Sequence, residues 1–459
     1  MMHPGDPTKE KLHARLRDLS LGAVVLVWVT LVFWAFTPGL MSPDSLSQYS
    51  QGLSGEYSNA HPPAMSWLLG LFGKTVGSPW PFLLIDLLAL SVGMALLLRK
   101  ARPRALLWSL LFLIGYLALP TTWSLGAVLW KDSAIGGVLL LTVAALHYGR
   151  LRIALELMVC SMLLRHNAIV AVAPLLVFAI WKAPALTSAR VRWVALAGGL
   201  VLLNLAPKVA DKVARAQDLC AVCVPAVFDL AAVYIDSPEL FPNSVFANDV
   251  SVDELKVSFS PATVVFLLWG SEPVRHINPE FVFSHRKEIL TEWVAVIPQR
   301  PWAYSKSRLA LFAHLLGIKG DVFYAFHTGI DANAWGLTVA HGDGWVHQKL
   351  RALQEYSRNS LAFRGWFWLG TSAALCALLL WRRRGSLAMY TALSGFLFTV
   401  TLVGVTTSSD FRFLFWTVVS CFAAGALLLG PSLPHVAPVG PDEEAVAQAH
   451  AGPRQPTQP

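Results

Sequence analysis

The chain has 459 residues, of which 55% are hydrophobic and only 14% charged, with a mean hydropathy of +0.53. That balance excludes an ordinary soluble globular domain and reads as an all-α polytopic membrane protein. The formal net charge of +8 does not point to nucleic acid, because the Lys and Arg residues sit in small groups between apolar segments, a pattern that orients helices.

In chain order, residues 1–19 carry Lys9, Lys11, Arg15 and Arg17 and read as a cytoplasmic N-terminus. The apolar run 20–36 follows. The Thr37-Pro38-Gly39-Leu40-Met41 stretch after it lacks a small-residue cleavage pattern, so the first helix is expected to be retained as a signal anchor. A first outward loop, 37–80, holds two amphipathic stretches, Ser45 to Gly52 and Ala64 to Phe72, whose apolar faces are expected on the bilayer surface. Further apolar segments lie at 81–98, 105–119, 133–148, 151–164, 168–181 and 193–206, completing an N-terminal membrane core over 20–206. Residues 207–365 are more polar and long enough for a fold of their own, read as a mostly helical extracytoplasmic domain. Within it Pro301 to Leu316 reads as a helix with Leu309, Phe312 and Leu316 on one face. Segments 366–381, 386–404 and 411–430 bring the count to about ten transmembrane helices, and the Pro-, Gly- and Ala-rich residues 431–459 read as a disordered cytoplasmic tail.

Basic groups occupy alternate loops: Arg99, Lys100, Arg102 and Arg104; Arg150 and Arg152; Lys182, Arg190 and Arg192; Arg382, Arg383 and Arg384. By the positive-inside rule these loops and both termini are cytoplasmic, and the remaining loops face outward. Cys160, Cys376 and Cys421 fall inside apolar segments and read as small buried hydrophobes. Cys220 and Cys223 form a C-x-x-C on the outward side, where a local disulfide is permitted. No internal repeat and no matched pair of interrupted helices is found, which lowers the prior for a secondary transporter.

The outward loops carry the polar clusters. Asp44, in Ser42-Pro43-Asp44-Ser45, reads either as a helix N-cap or as a general base for an incoming hydroxyl. His61, held extended by Pro62 and Pro63, either starts the next helix or presents its imidazole to substrate. Lys131-Asp132 follows Trp123 and Trp130, which read as interface anchors. The pair is either a local charge pair at a helix start or a phosphate partner with a polar neighbour. Arg165-His166-Asn167 divides two short apolar runs without a turn signal, and its three side chains suit an anionic headgroup and a sugar hydroxyl. Asp410 and Arg412 flank Phe411, as a cap and a snorkelling cation or as part of a site. Asp86 and Glu156, inside apolar helices, read as interhelical hydrogen-bonding groups.

Taken together, these residues resemble the GT-C superfamily of integral-membrane glycosyltransferases that use polyprenyl-phosphate sugars, including protein mannosyltransferase-like and lipid A aminoarabinose transferase-like members. The resemblance rests on an outward Asp after the first helix (Asp44), His61-Pro62-Pro63, and the many-helix layout with a large extracytoplasmic segment. Trp130-Lys131-Asp132, Arg165-His166-Asn167 and Asp410-Phe411-Arg412 are similar to patterns in bacterial members. It covers most of residues 20–430.

The resemblance implies transfer of one sugar, with inversion, from a polyprenyl-phosphate donor to a lipid, glycan or protein acceptor on the outer side of a bacterial cytoplasmic membrane, among membrane lipids and without nucleic acid. Asp44 is implied as catalytic base, Lys131, Arg165 and Arg412 as donor-phosphate ligands, and His61, Asp132, His166, Asn167 and Asp410 as substrate-binding residues. No metal-ligating residue and no certain cofactor is implied. A divalent metal stays open, although many members pair two acidic residues where this chain has Pro43-Asp44-Ser45. The rivals are a polysaccharide ligase or polymerase using a lipid-diphosphate glycan, and a lipid or sugar transporter.

Overall fold

A computed structural model describes residues 7–101, 105–245, 250–270, 277–320, 322–382 and 385–430. The expected tail at 431–459 lies outside the described residues, as do Arg102, Arg104, Arg383 and Arg384. The described chain is all-α, with short isolated β-bridges and no strand.

Helix α1 (Pro7–Phe36) is followed by α2 (Pro43–Ser54), α3 (Pro63–Val76) and α4 (Trp80–Arg99). Next come α5 (Leu106–Ala118), α6 (Pro120–Gly126), α7 (Lys131–His147), α8 (Leu151–Leu164), α9 (Ile169–Lys182) and α10 (Ala189–Val213). Among the described residues five helical stretches are long and apolar enough to cross a membrane: Leu12–Phe36, Trp80–Arg99, Ala189–Val213, Leu387–Val405 and Phe411–Leu429. The α5–α6 pair, bent by 55° at Leu119, makes a sixth if it counts as one span. The runs read at 133–148, 151–164 and 168–181 are helices of 17, 14 and 14 residues, short of the roughly 20 a straight crossing needs.

Small residues let these helices approach. A Cβ on Gly93 would meet Leu140 at 2.8 Å and one on Gly137 would meet Ala89 at 2.8 Å, so α4 and α7 touch where both lack side chains. Polar bonds add direction in an apolar bundle: Ser394 Oγ donates to the Ala171 carbonyl at 2.5 Å and Trp416 Nε1 to Ser394 Oγ at 2.9 Å. They tie α9 to α19 (Leu387–Val405) and α20 (Phe415–Leu429). At one end of the bundle Arg99 pairs with Asp18 at 2.8 Å, Arg17 donates to the Ala101 carbonyl, and Lys100 donates to the His147 carbonyl. The Asp44 and Lys131 ends of the chain segments lie at the other.

Several expectations are corrected. The apolar faces of α2 and α3 are largely buried against each other, because Gly52 and Gly70 bring the two backbones together; a Cβ on Gly52 would collide with the Ser66 carbonyl oxygen. Trp67 and Leu71 still face outward. Cys160 is exposed on α8 rather than buried. Glu156 pairs along its own helix with Arg152 at 2.9 Å, and among the described residues buried Asp86 has no hydrogen-bond partner for either oxygen.

Beyond α10, Cys220 and Cys223 form a disulfide that opens α11 (Cys223–Asp236). A second core gathers around it from α12 (Val252–Ser258), α13 (Val265–Trp269), α14 (Pro279–Ser284), α15 (Arg286–Val296) and α16 (Pro301–Leu315). The helix read at 301–316 is present; of the expected face Leu316 is buried and Phe312 packs on the main core, but Leu309 is exposed, and Ala303, Arg308, Leu311 and Leu315 are buried. The reason is electrostatic. Arg308 turns inward to pair with the fully buried Asp229 at 2.6 Å and to donate to the Thr406 carbonyl at 2.6 Å, and a charge that deep must stay paired. Residues 322–363, with α17 (Trp345–Ser357), pack instead on the main core, ahead of α18 (Gly365–Arg382).

Candidate functional site

The site lies where irregular segments leave the helices and pair with one another. Leu40 bridges Val128, Met41 bridges Ile330, and Tyr324 bridges Asp410. Four segments far apart in sequence are thereby fixed side by side, with backbone hydrogen bonds satisfied.

Asp44 does not cap α2. It sits in the first turn, the N-cap position belongs to Ser42, and no side chain makes a capping bond there. Its carboxylate instead receives Arg412 Nη1 at 2.8 Å, while the same guanidinium reaches Asp410 Oδ2 at 3.2 Å. Arg412 lies over the Trp130 ring, 4.8 Å from its centroid. Trp130, expected as an interface anchor, is buried and donates its indole N–H to Ser42 Oγ at 2.8 Å. Trp123 is buried as well.

Lys131 Nζ lies 2.5 Å from His61 Nδ1, and His61 Nε2 lies 3.8 Å from Asp44 Oδ1. Burial, with the Arg165 charge, lowers Lys131 to about 7; where Lys131 is charged it can only donate, so Nδ1 accepts and a neutral imidazole turns its Nε2–H toward Asp44. Burial by itself raises the Asp44 carboxyl, but the Arg412 charge, aided by His61 and Lys131, holds it well below the usual range. Burial, together with the Lys131 charge, lowers His61, against the pull of Asp44. Asp410 goes the other way: burial raises it, despite Arg412 and the Ser408 hydroxyl, which donates to Oδ1 at 2.8 Å. The two carboxylates on one arginine are thus unequal, and Asp44 is the more firmly ionised.

Arg165 leaves α8 in an extended conformation, forms an ion pair with the buried Asp132, and donates from Nε to Asn167 Oδ1 at 2.6 Å. Its guanidinium lies 5.0 Å from the Phe413 ring centroid, and that of Arg412 lies 5.2 Å from the same ring. One aromatic therefore spaces two cations that would otherwise repel.

The structure thus brings Asp44, His61, Lys131, Asp410 and Arg412 into one network, with Arg165, Asp132 and Asn167 joined to it through Phe413. His166 is set apart: it is exposed and faces the Asp211 carboxylate and the Asn59 carbonyl. Two residues were missed in the sequence. Tyr324 and His327 contact each other through the phenol hydroxyl and Nδ1, and both rings lie 6.2 Å from that of Trp130. They sit in a long irregular segment without periodicity, and only the paired backbone at Met41 and Asp410 brings them in.

Among the described residues no group of three or more His, Cys, Asp or Glu side chains is gathered to hold a metal ion. No family model, curated protein or solved structure matches the chain.

Proposed function

We propose that the chain is a membrane glycosyltransferase of about ten alternating transmembrane segments, set in a bacterial cytoplasmic membrane with its site toward the periplasm, that moves one sugar from a polyprenyl-phosphate donor to an acceptor hydroxyl. The observation that carries this reading is the Asp44–Arg412–Asp410 bridge beside Lys131 and His61: one firmly ionised carboxylate held among cations at a membrane helix end. Charged groups at that depth are costly without a function.

In the proposed reaction the acceptor oxygen attacks the anomeric carbon. The bond from that carbon to the phosphate oxygen breaks, its electron pair goes to the phosphate, and the hydroxyl proton passes to Asp44. The centre inverts. Lys131, Arg165 and Arg412 balance the charge that grows on the phosphate; a preorganised donor of this kind contributes about 3 kcal/mol to a transition state. Arg412 Nε is buried and without a hydrogen-bond partner in the described chain, which suits it to a phosphate oxygen. A carboxylate held as low as Asp44 is a weak base while Arg412 rests on it. A donor phosphate that draws Arg412 away restores its basicity as the reactants assemble.

An apolar groove of about 520 Å³ between α1, α5 and α17, lined by Leu31, Ile114, Leu117 and Leu350 among others, supports the reading by offering room for a prenyl tail. The test is reconstitution of the full-length protein with a polyprenyl-phosphate-linked hexose and native membrane acceptors, following release of polyprenyl phosphate. Release in wild type and its loss in Asp44→Asn is the expected result. Consumption of a lipid-diphosphate glycan instead would make the protein a ligase, and movement of lipid without consumption would make it a transporter.

A further inference from the structure

The protons around His327 can be assigned. His327 Nε2 lies 3.0 Å from the Met41 carbonyl and 3.6 Å from Asp331 Oδ1. Both are acceptors, so Nε2 carries the proton and Nδ1 is a lone pair. The Tyr324 hydroxyl against Nδ1 must then donate to it. What Tyr324 offers to its surroundings is a phenol oxygen with lone pairs only.

That oxygen shares its surroundings with the reaction network. Tyr324 is backbone-paired to Asp410 and half-buried beside Trp130, the ring that carries Arg412. Burial, then the charges of Asp331 and Asp410, with Asp44 adding to them against Arg412, push its phenol up to about 12, so it remains protonated at neutral pH. A phosphate oxygen, itself an acceptor, gains nothing from such a group. A hydroxyl does.

We infer that Tyr324 is a hydroxyl-binding residue of this site, oriented by His327 as a positioning residue, and that it receives a hydrogen bond from a substrate sugar or acceptor hydroxyl while the phosphate is held on the Lys131 and Arg165 side. This rests on the glycosyltransferase reading. It divides the site into a cationic half for the leaving group and a lone-pair half for polyol.

The two amides that can replace a histidine separate this role from a structural one. In His327→Asn the amide oxygen takes the place of Nδ1 and still accepts from Tyr324, but the bond to Met41 is lost. In His327→Gln the amide nitrogen takes the place of Nε2 and still donates to Met41, but Tyr324 is released and can turn to donate. The measurements use full-length protein in nanodiscs: binding of a polyprenyl-phosphate hexose relative to the bare polyprenyl phosphate, and the KM for native membrane acceptors during turnover.

Tyr324→Phe and His327→Gln should each cost about three- to tenfold, the range of one neutral hydrogen bond, with His327→Asn closer to wild type. If the hydroxyl belongs to the donor sugar, the loss appears in the binding preference for the glycosylated lipid; if it belongs to the acceptor, that preference holds and acceptor KM rises. The opposite order, with Asn worse than Gln, or an unchanged preference and KM in Tyr324→Phe, overturns the inference while leaving the enzyme a glycosyltransferase. Wild-type protein that neither binds nor consumes the glycosylated lipid overturns the functional reading, and this inference with it.

Discussion

Asp44→Asn should separate catalysis from donor binding. On the proposed reading Asp44 and a donor phosphate compete for Arg412, whose Nη1 lies 2.8 Å from Asp44 Oδ2. Removing the carboxylate charge removes the base, which costs about 10²–10⁴-fold in kcat. The same change frees a cation. A hydrogen bond to a charged group contributes roughly 1.5–3 kcal/mol, but the Asp44 side chain is 38% exposed, so solvent screening brings the releasable part to about 1 kcal/mol. Asp410 still holds Nη2, so not all of the guanidinium is freed. About 1 kcal/mol is about a fivefold gain in affinity for polyprenyl phosphate. Steady-state turnover in nanodiscs gives kcat, and equilibrium binding of the bare polyprenyl phosphate gives the affinity. A variant that loses both together would refute the competition, because Asp44 would then be holding the site in shape; a variant with near-normal kcat would remove Asp44 as the base.

Other outcomes follow from single contacts. Arg165→Ala leaves Asp132, 2% exposed at its side chain, as an unpaired buried charge, and should destabilise the protein by about 3–5 kcal/mol as well as weaken donor use; a thermal unfolding midpoint restored by adding Asp132→Leu would show the pair at work, and an unchanged midpoint would refute it. Arg308→Met should cost a similar amount by stranding Asp229 and should loosen the segment at Thr406, read as faster proteolysis between the second core and α19. Gly52→Ala forces a Cβ against the Ser66 carbonyl oxygen and should cost about 1–3 kcal/mol, lowering activity because α2 carries Asp44 and His61 leads into α3.

The pH dependence of stability has one sign for both groups. His61 and Asp44 are each depressed in the folded state, so the unfolded chain binds more protons, and their stabilisation is present above the unfolded values, about 6.5 and 3.9. It is lost as pH falls through the folded ones. His61→Gln should therefore flatten the decline in unfolding midpoint just below pH 6.5, and an unaltered slope would show that His61 does not titrate there.

Much of the site was legible because the cost of charge in a membrane is local. Asp44, Lys131, Arg165 and Arg412 stand out in apolar sequence, and the alternation of basic loops puts them at one end of the bundle without any knowledge of packing. Their partners were not legible. That Arg165 would meet Asp132 depends on how α7 and α8 pack, and that Trp130 would turn inward beneath Arg412 depends on backbone pairing between loops more than 80 residues apart in sequence, which leaves no periodic trace. The exposure of Leu309 on α16, whose Phe312 and Leu316 do pack inward, has the same origin. Apolar periodicity chose Leu309, whereas one buried ion pair, Arg308 with Asp229, set the rotation of the helix.

The placement of reactive groups on loops rather than within spans has its own physical logic. A helix in lipid satisfies its backbone internally and has no spare amide with which to grip a neighbour. The segments at 40–41, 128, 324–330 and 410 do have spare amides, and they use them on each other: Leu129 N to Leu40 O at 2.9 Å, Met41 N to Gly329 O at 3.0 Å, Phe411 N to Tyr324 O at 2.8 Å. Each bond fixes a residue next to a chemical group, so Asp44, Lys131, His327 and Arg412 are held by backbone rather than by their own mutual attraction. On the proposed reading, this backbone support lets a donor phosphate exchange for Asp44 on Arg412 without the network collapsing. A site held together only by its ion pairs would come apart at the moment a charged substrate entered.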